Sequence, residues 1–159
     1  MIVIGIDGGL SGYIAVIGQG SVITHPIPTI KIKGRAMYNP AGIDALIFTG
    51  DEPGIVFVET MTAMPGKFGG ALANFSRGYF MGMIETILAL QSCKREYVRP
   101  RTWQKIFGIG GKGADTKRQS IQIASRLFPK ESFETERGRL LDGKADALLI
   151  AEYGRRIML

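Results

Sequence analysis

Met1-Ile2-Val3-Ile4-Gly5-Ile6-Asp7-Gly8-Gly9-Leu10-Ser11-Gly12-Tyr13-Ile14-Ala15-Val16-Ile17 is the stretch on which the fold turns. A β-branched apolar run leads straight into Asp7, a Gly-Gly turn follows, and a second apolar run begins at Tyr13. The pattern predicts two antiparallel strands with a carboxylate at the end of the first. Gly8 and Gly9 clear side chains from beside the acid, which leaves room for backbone or a phosphate. A carboxylate on a buried strand is costly unless something pairs with it. An Asp that caps its own turn is the simpler alternative. What decides between them is whether other acids converge on Asp7.

Working outward, Ile55-Val56-Phe57-Val58-Glu59 is a second apolar run that ends in a carboxylate. Its continuous apolarity predicts a strand buried on both faces, as in a parallel sheet flanked by helices. Ligands gather where such strand ends meet their loops. Asp142 and Asp146 lie four apart in a C-terminal helix spanning roughly 142–157, so they share a face. Asp146 also shares that face with Leu149, Ile150 and Tyr153, which turns it inward. Asp142 has an alternative reading as a helix N-cap.

The rest of the chain fits one mixed α/β domain covering 1–159. Val22 to Pro26 reads as a third strand, and Lys31 to Tyr38 as a polar, basic loop or arm. Asn39 caps a helix that starts at Pro40 and runs to about Phe48. Thr60 to Gly70 is a loop. From Ala71 to Leu90 a helix is apolar over much of its girth, which predicts packing on two surfaces, the sheet and a second subunit. Gly78 and Gly82 would allow close approach along one side. A short strand over Glu96–Arg99 leads to a helical turn from Pro100 to Lys105. Gly108 to Asp115 lacks the Lys-Ser/Thr of a phosphate loop and reads as a flexible basic loop. A helix capped by Asp115 or Thr116 then runs through Phe128, with Ile121, Ala124, Ser125 and Phe128 inward. Residues 131–139 are charged and irregular.

Composition narrows the function. With 45% hydrophobic and 21% charged residues the chain is globular, and no apolar run is long enough to span a membrane. Cys93 is the single cysteine, so neither an internal disulfide nor a cysteine metal cage is available, and a cytoplasmic setting is expected. A net charge of +6 favours an anionic partner. Lys94, Arg95, Arg99, Arg101 and Lys105 interleave with Tyr97 and Trp103, and Lys112, Lys117 and Arg118 follow. Such a stretch suits a phosphate backbone with exposed bases, or else is a solvated basic face with Trp103 in the core.

Asp7, Glu59, Asp142 and Asp146, with no cysteine cage and one histidine, define a hard, oxygen-only donor set suited to Mg²⁺ or Mn²⁺. Two such ions roughly 3.5–4 Å apart activate water and stabilise the leaving oxygen in phosphodiester hydrolysis. Lys117, opening its helix, adds charge for a phosphate. The residues alone thus point to a metal-dependent nuclease.

Gly5-Ile6-Asp7-Gly8-Gly9-Leu10, Val56-Phe57-Val58-Glu59 and Asp142-Gly143-Lys144-Ala145-Asp146-Ala147-Leu148, in this order and spacing, resemble the RuvC family of Holliday-junction resolvases. Val98-Arg99-Pro100, Trp103, Lys117 and Leu127-Phe128-Pro129 fit the same pattern. The resemblance implies a ribonuclease-H-like fold, with a mixed central β-sheet flanked by helices. It also implies a homodimer, formed through the 71–90 helix, that makes Mg²⁺-dependent cuts in branched DNA. Carried over by position, Asp7, Glu59, Asp142 and Asp146 are metal ligands and Lys117 the basic catalytic residue. Lys67, Phe68, Arg101, Lys105, Lys112, Lys117 and Arg118 are the expected DNA contacts. Gly8 replaces the usual proline, the last acids are spaced four apart, and no aromatic follows Glu59 directly, a role Phe68 would fill. These departures fit a divergent, phage-type member. Two other readings are a branched-DNA-binding protein without catalysis and a sugar-kinase or actin-like ATP-binding domain, the latter lacking room for its second phosphate loop.

Overall fold

The computed structural model describes residues 1–18, 20–48, 54–65, 70–111 and 113–158. The two opening apolar runs form β1, Val3–Asp7, and β2, Tyr13–Ile17, paired antiparallel with Asp7 opposite Tyr13. β3, Val22–Pro26, extends the meander and sets Pro26 opposite Tyr13.

The expected loop over 31–38 is instead a hairpin of β4, Thr29–Ile32, and β5, Arg35–Tyr38. Lys33 and Gly34 both have positive φ, 48° and 77°, which is the signature of a type I′ turn. α1, Pro40–Ile47, starts as anticipated, with Gly42 N–H donating to Asn39 Oδ1 at 3.1 Å.

β6, Ile55–Glu59, lies parallel to β1. α2, Ala71–Leu90, then leads to β7, Arg95–Val98, parallel to β6. The main sheet therefore runs β3-β2-β1-β6-β7. α3, Pro100–Ile106, α4, Ala114–Leu127, and α5, Asp142–Ile157, complete the chain.

Both faces of β1 and β6 are covered, as their unbroken apolarity requires. Ile4, Ile6, Val56 and Val58 pack under Phe80, Ile84 and Leu88 of α2 and Ile43 of α1. Val3 and Phe57 face the other way, against Trp103 and the apolar side of α5. α5 lies on β1 almost backbone to backbone: a Cβ on Gly5 would stand 2.3 Å from Ala147 O and 2.4 Å from Ala151 N.

Three local expectations are corrected. α4 is capped by Gly113, at φ 64°, with no side-chain cap, so Asp115 and Thr116 lie inside its first turn. Ser125 is exposed, whereas Ile121, Ala124 and Phe128 turn inward as expected, joined by Ser120 and Ile123. The glycine loop before α4 is pinned, because the Gln119 amide accepts from Gly110 N at 3.0 Å and donates to Gly110 O at 2.8 Å. On α2, one face is buried by Phe80, Ile84, Ile87 and Leu88, while Leu72 and Phe75 stand 82% and 71% exposed. Among the described residues no helix is long and apolar enough to cross a membrane.

Candidate active site

Parallel pairing puts the ends of β1 and β6 at one edge of the sheet, so Asp7 and Glu59 leave it side by side. α5 begins over that edge. A Cβ on Gly143 would fall 2.9 Å from Asp7 Oδ2 and 2.9 Å from Ser11 O. Glycine at 143 thus lets the first turn of α5 rest on the Asp7 carboxylate, with Asp142 and Asp146 one turn apart beside it.

The electrostatics show the four acids acting on one another. Burial pushes the Asp7 carboxyl well above its ordinary range, and the charges of Glu59, Asp146 and Asp142 push it further, against the pull of Lys117. Burial also raises Glu59 to about 7, opposed by a hydrogen bond from Trp103 and reinforced by Asp146. Asp146 is raised to about 6 by burial, with a hydrogen bond from Ser120 holding it down and Asp142 pushing it up. Lys117 Nζ forms an ion pair with Asp142 Oδ2, and its own pKa is raised, first by that bond and then by the fields of Asp142, Asp146 and Asp7.

The chemistry of the donors is oxygen only, the preference of Mg²⁺ and Mn²⁺. Among the described residues, however, no three acid, histidine or cysteine side chains stand close enough together to close on one ion. Two of the acids have other partners: Lys117 pairs with Asp142, and Trp103 Nε1 donates to Glu59 Oε1 at 2.8 Å. Asp146 Oδ1 is buried with no hydrogen-bond partner. A cation is what such an oxygen, among raised and mutually repelling acids, would take.

Two contributors escape the sequence reading. Trp103 is fully buried and spends its indole N–H on Glu59, so it is not an aromatic for stacking bases. Tyr97 likewise donates to the Glu85 carboxylate. Ser120, 1% exposed, holds Asp146. Its one signal was a hydroxyl in the inward row of α4, a turn before Ala124. Nothing in a single sequence shows that Trp103 reaches Glu59. The space beside Gly8 is also filled, since a Cβ there would meet Met61 Sδ at 2.5 Å and the Phe80 ring at 2.7 Å. Packing, not a phosphate, requires that glycine, whereas Gly9, at φ 110°, faces open space.

Of the expected DNA contacts, Arg101, Lys105, Lys117 and Arg118 are exposed. Arg101 and Lys105 flank a shallow depression of about 450 Å³ floored by Gly108, Gly110 and Gly111. Lys67, Phe68 and Lys112 lie outside the described residues.

No family model and no curated relative matches the chain. Solved structures do. The Thermus thermophilus RuvC structure is 16% identical, with 99% of this chain and 97% of that one covered at a TM-score of 0.58. T. thermophilus RuvC in complex with Holliday junction substrate is 13% identical, covering 99% and 96%, also at 0.58. The two strand-end acids, the helix laid over them and the β3-β2-β1-β6-β7 sheet thus sit on a RuvC-like, ribonuclease-H-like α/β fold.

Proposed function

We propose that the chain is a divalent-metal-dependent endonuclease that cuts Holliday junctions or other branched DNA. The observation that carries this is the convergence of four carboxylates on one sheet edge, each acid buried or half-buried and Asp7 in the field of the other three. Buried like charges are retained against their cost where a site must hold a cation. Asp7, Glu59, Asp142 and Asp146 would hold Mg²⁺, with Mn²⁺ able to replace it. The bound metal supplies charge neutralisation and an activated water for phosphodiester hydrolysis. Lys117, released from Asp142 once that acid is neutralised, would meet a phosphate oxygen. Trp103 and Ser120 fix the rotamers of Glu59 and Asp146, so the acids keep their places as charge changes. The exposed cations Arg101, Lys105 and Arg118 would follow the DNA backbone, together with Lys67, Phe68 and Lys112.

Branched DNA as the substrate is supported by the fold shared with a RuvC solved on a Holliday junction. A homodimer through α2 is supported by the exposed row Leu72, Phe75 and Tyr79, in which the Phe75 and Tyr79 rings stack with centroids 6.5 Å apart. We propose that residues 1–159 act as one nuclease domain.

The test is cleavage of labelled four-way, forked, flapped and linear DNAs in Mg²⁺ and in Mn²⁺. Branched substrates are expected to be cut, and Asp7→Asn and Asp146→Asn to bind them without cutting. Preference for linear duplex over every branched DNA would sink the substrate assignment, and full cleavage by either variant would remove that residue from catalysis.

A further inference from the structure

We propose that the β4–β5 hairpin is a DNA-contacting ribbon that grips the phosphate backbone of a duplex arm beside the cleavage site; this rests on the nuclease reading above. The inference starts from charge. No carboxylate occurs between Asp7 and Asp44, and the hairpin carries Lys31, Lys33 and Arg35 within five residues. All three are exposed, and among the described residues none has an ion-pair partner. Every residue of the two strands is exposed except Tyr38, so the ribbon stands off the body of the protein.

Its position is tied to the acids by register and packing. Asp7, Tyr13 and Pro26 are opposite one another across β1, β2 and β3, so β3 ends on the edge that bears Asp7. The ribbon leaves from there, its base closed by Asn39 N–H donating to Pro28 O at 2.9 Å. Tyr38 anchors it against Phe80, with ring centroids 5.1 Å apart, and Phe80 itself packs against Gly8, the neighbour of Asp7. One aromatic ring therefore separates the root of the ribbon from Gly8, next in the chain to Asp7. Four residues per strand reach about 14 Å, and a two-stranded ribbon fits the roughly 12 Å major groove of a duplex. The type I′ turn puts Lys33 at the tip. Arg35 shares one face with Ile32, and Lys31 lies on the other with Ala36. Cations at the tip and on both faces match two phosphate strands flanking a groove, while Ile30, Ile32 and Met37 stand exposed beside Arg35 on one of those faces.

The test uses the variant Lys31→Gln/Lys33→Asn/Arg35→Gln, which removes the charge and places an Asn-Gly pair in a turn that favours it. Its melting temperature should equal or exceed that of the wild type. Binding to a fluorescent four-way junction with duplex arms is measured in Ca²⁺ across a salt series, beside linear duplex and single-stranded oligonucleotides. The variant is expected to bind the junction about ten-fold or more weakly at low salt. Its log–log salt slope should be shallower by about 2–3, near 0.9 for each lost phosphate contact. Linear duplex should show the same loss. Wild-type binding with unchanged variant affinity and slope overturns the ribbon assignment alone. A loss confined to single strands, or a changed oligomeric state at unchanged affinity, overturns it too. Failure of the wild type to bind the junction removes the nuclease reading and the ribbon with it.

Discussion

Asp146 shows at the scale of one residue what the site costs the fold. It is half-buried, its Oδ1 is buried with no hydrogen-bond partner, and burial raises its carboxyl to about 6. In the unfolded chain the same group titrates near 4. Between those two pH values the folded chain holds more protons than the unfolded one, so stability falls as pH rises through the window. Glu59 extends the window to about 7. Metal-free Asp146→Asn is therefore expected to be more stable than the wild type at pH 8, by about 1–3 kcal/mol, with the gain vanishing toward pH 4. Thermal melts in EDTA at several pH values check this, and a pH-independent difference would refute it. Mg²⁺ should raise the wild-type melting temperature more than that of the variant. Trp103 makes a second case. Its hydrogen bond lowers the Glu59 pKa, so Trp103→Phe, which keeps most of the ring, should move Glu59 titration upward from about 7. Carboxyl-labelled NMR of metal-free protein reads that shift directly, and an unmoved midpoint would mean the indole does not govern the acid.

Elements place these residues, and glycine decides how closely they can pack. α5 meets β1 at Gly5, where backbone atoms of Ala147 and Ala151 leave no room for a methyl group. Those atoms belong to a helix and cannot swing aside, so Gly5→Ala must lift α5 off the sheet and carry Asp142 and Asp146 away from Asp7. A loss of several kcal/mol is expected, at or above the roughly 1–3 kcal/mol usual for overpacking. Gly78→Ala is the contrasting case, since a Cβ there meets nothing within 4 Å. In the monomeric chain, where this helix surface is open, it should stabilise α2 by about 0.5–1 kcal/mol. Denaturant melts of the pair check both signs, and similar effects from the two would defeat the packing argument. The same contrast explains which elements were legible. β1, β6 and α5 carry buried faces, so their apolar periodicity survives in the sequence. The β4–β5 hairpin has no buried face except at Tyr38, and its turn is Lys-Gly rather than Asn-Gly, so neither signal announced it. α4 begins on a glycine with no capping side chain, which moved its apparent start toward Asp115 and Thr116.

Over the whole molecule, the four candidate acids were readable because strand ends and helix periodicity put them at countable positions. Their partners were not, because Trp103 to Glu59 and Ser120 to Asp146 are contacts between elements whose approach only the fold determines. The basic stretch was half legible for the same reason: Arg101 and Lys105 are exposed, but Trp103 between them belongs to the core. The proposed resolution of a four-way junction takes two cuts on opposing strands, and so calls for two copies on one DNA. The face we propose for that contact is the outer side of α2, where Leu72, Phe75 and Tyr79 are exposed and Gly78 and Gly82 leave open space beside them. Phe75→Asp places a charge in the centre of that row without touching the buried face of the helix. It should leave the melting temperature within a few degrees of the wild type while converting the proposed dimer to monomer in light scattering at micromolar concentration. On a supercoiled plasmid with an extruded cruciform, paired cuts in a dimer yield linear DNA, whereas independent monomers yield nicked circles. The variant is expected to shift product from linear to nicked while retaining single-strand cleavage. Linear product from a proven monomer would show that the paired cuts do not depend on this helix.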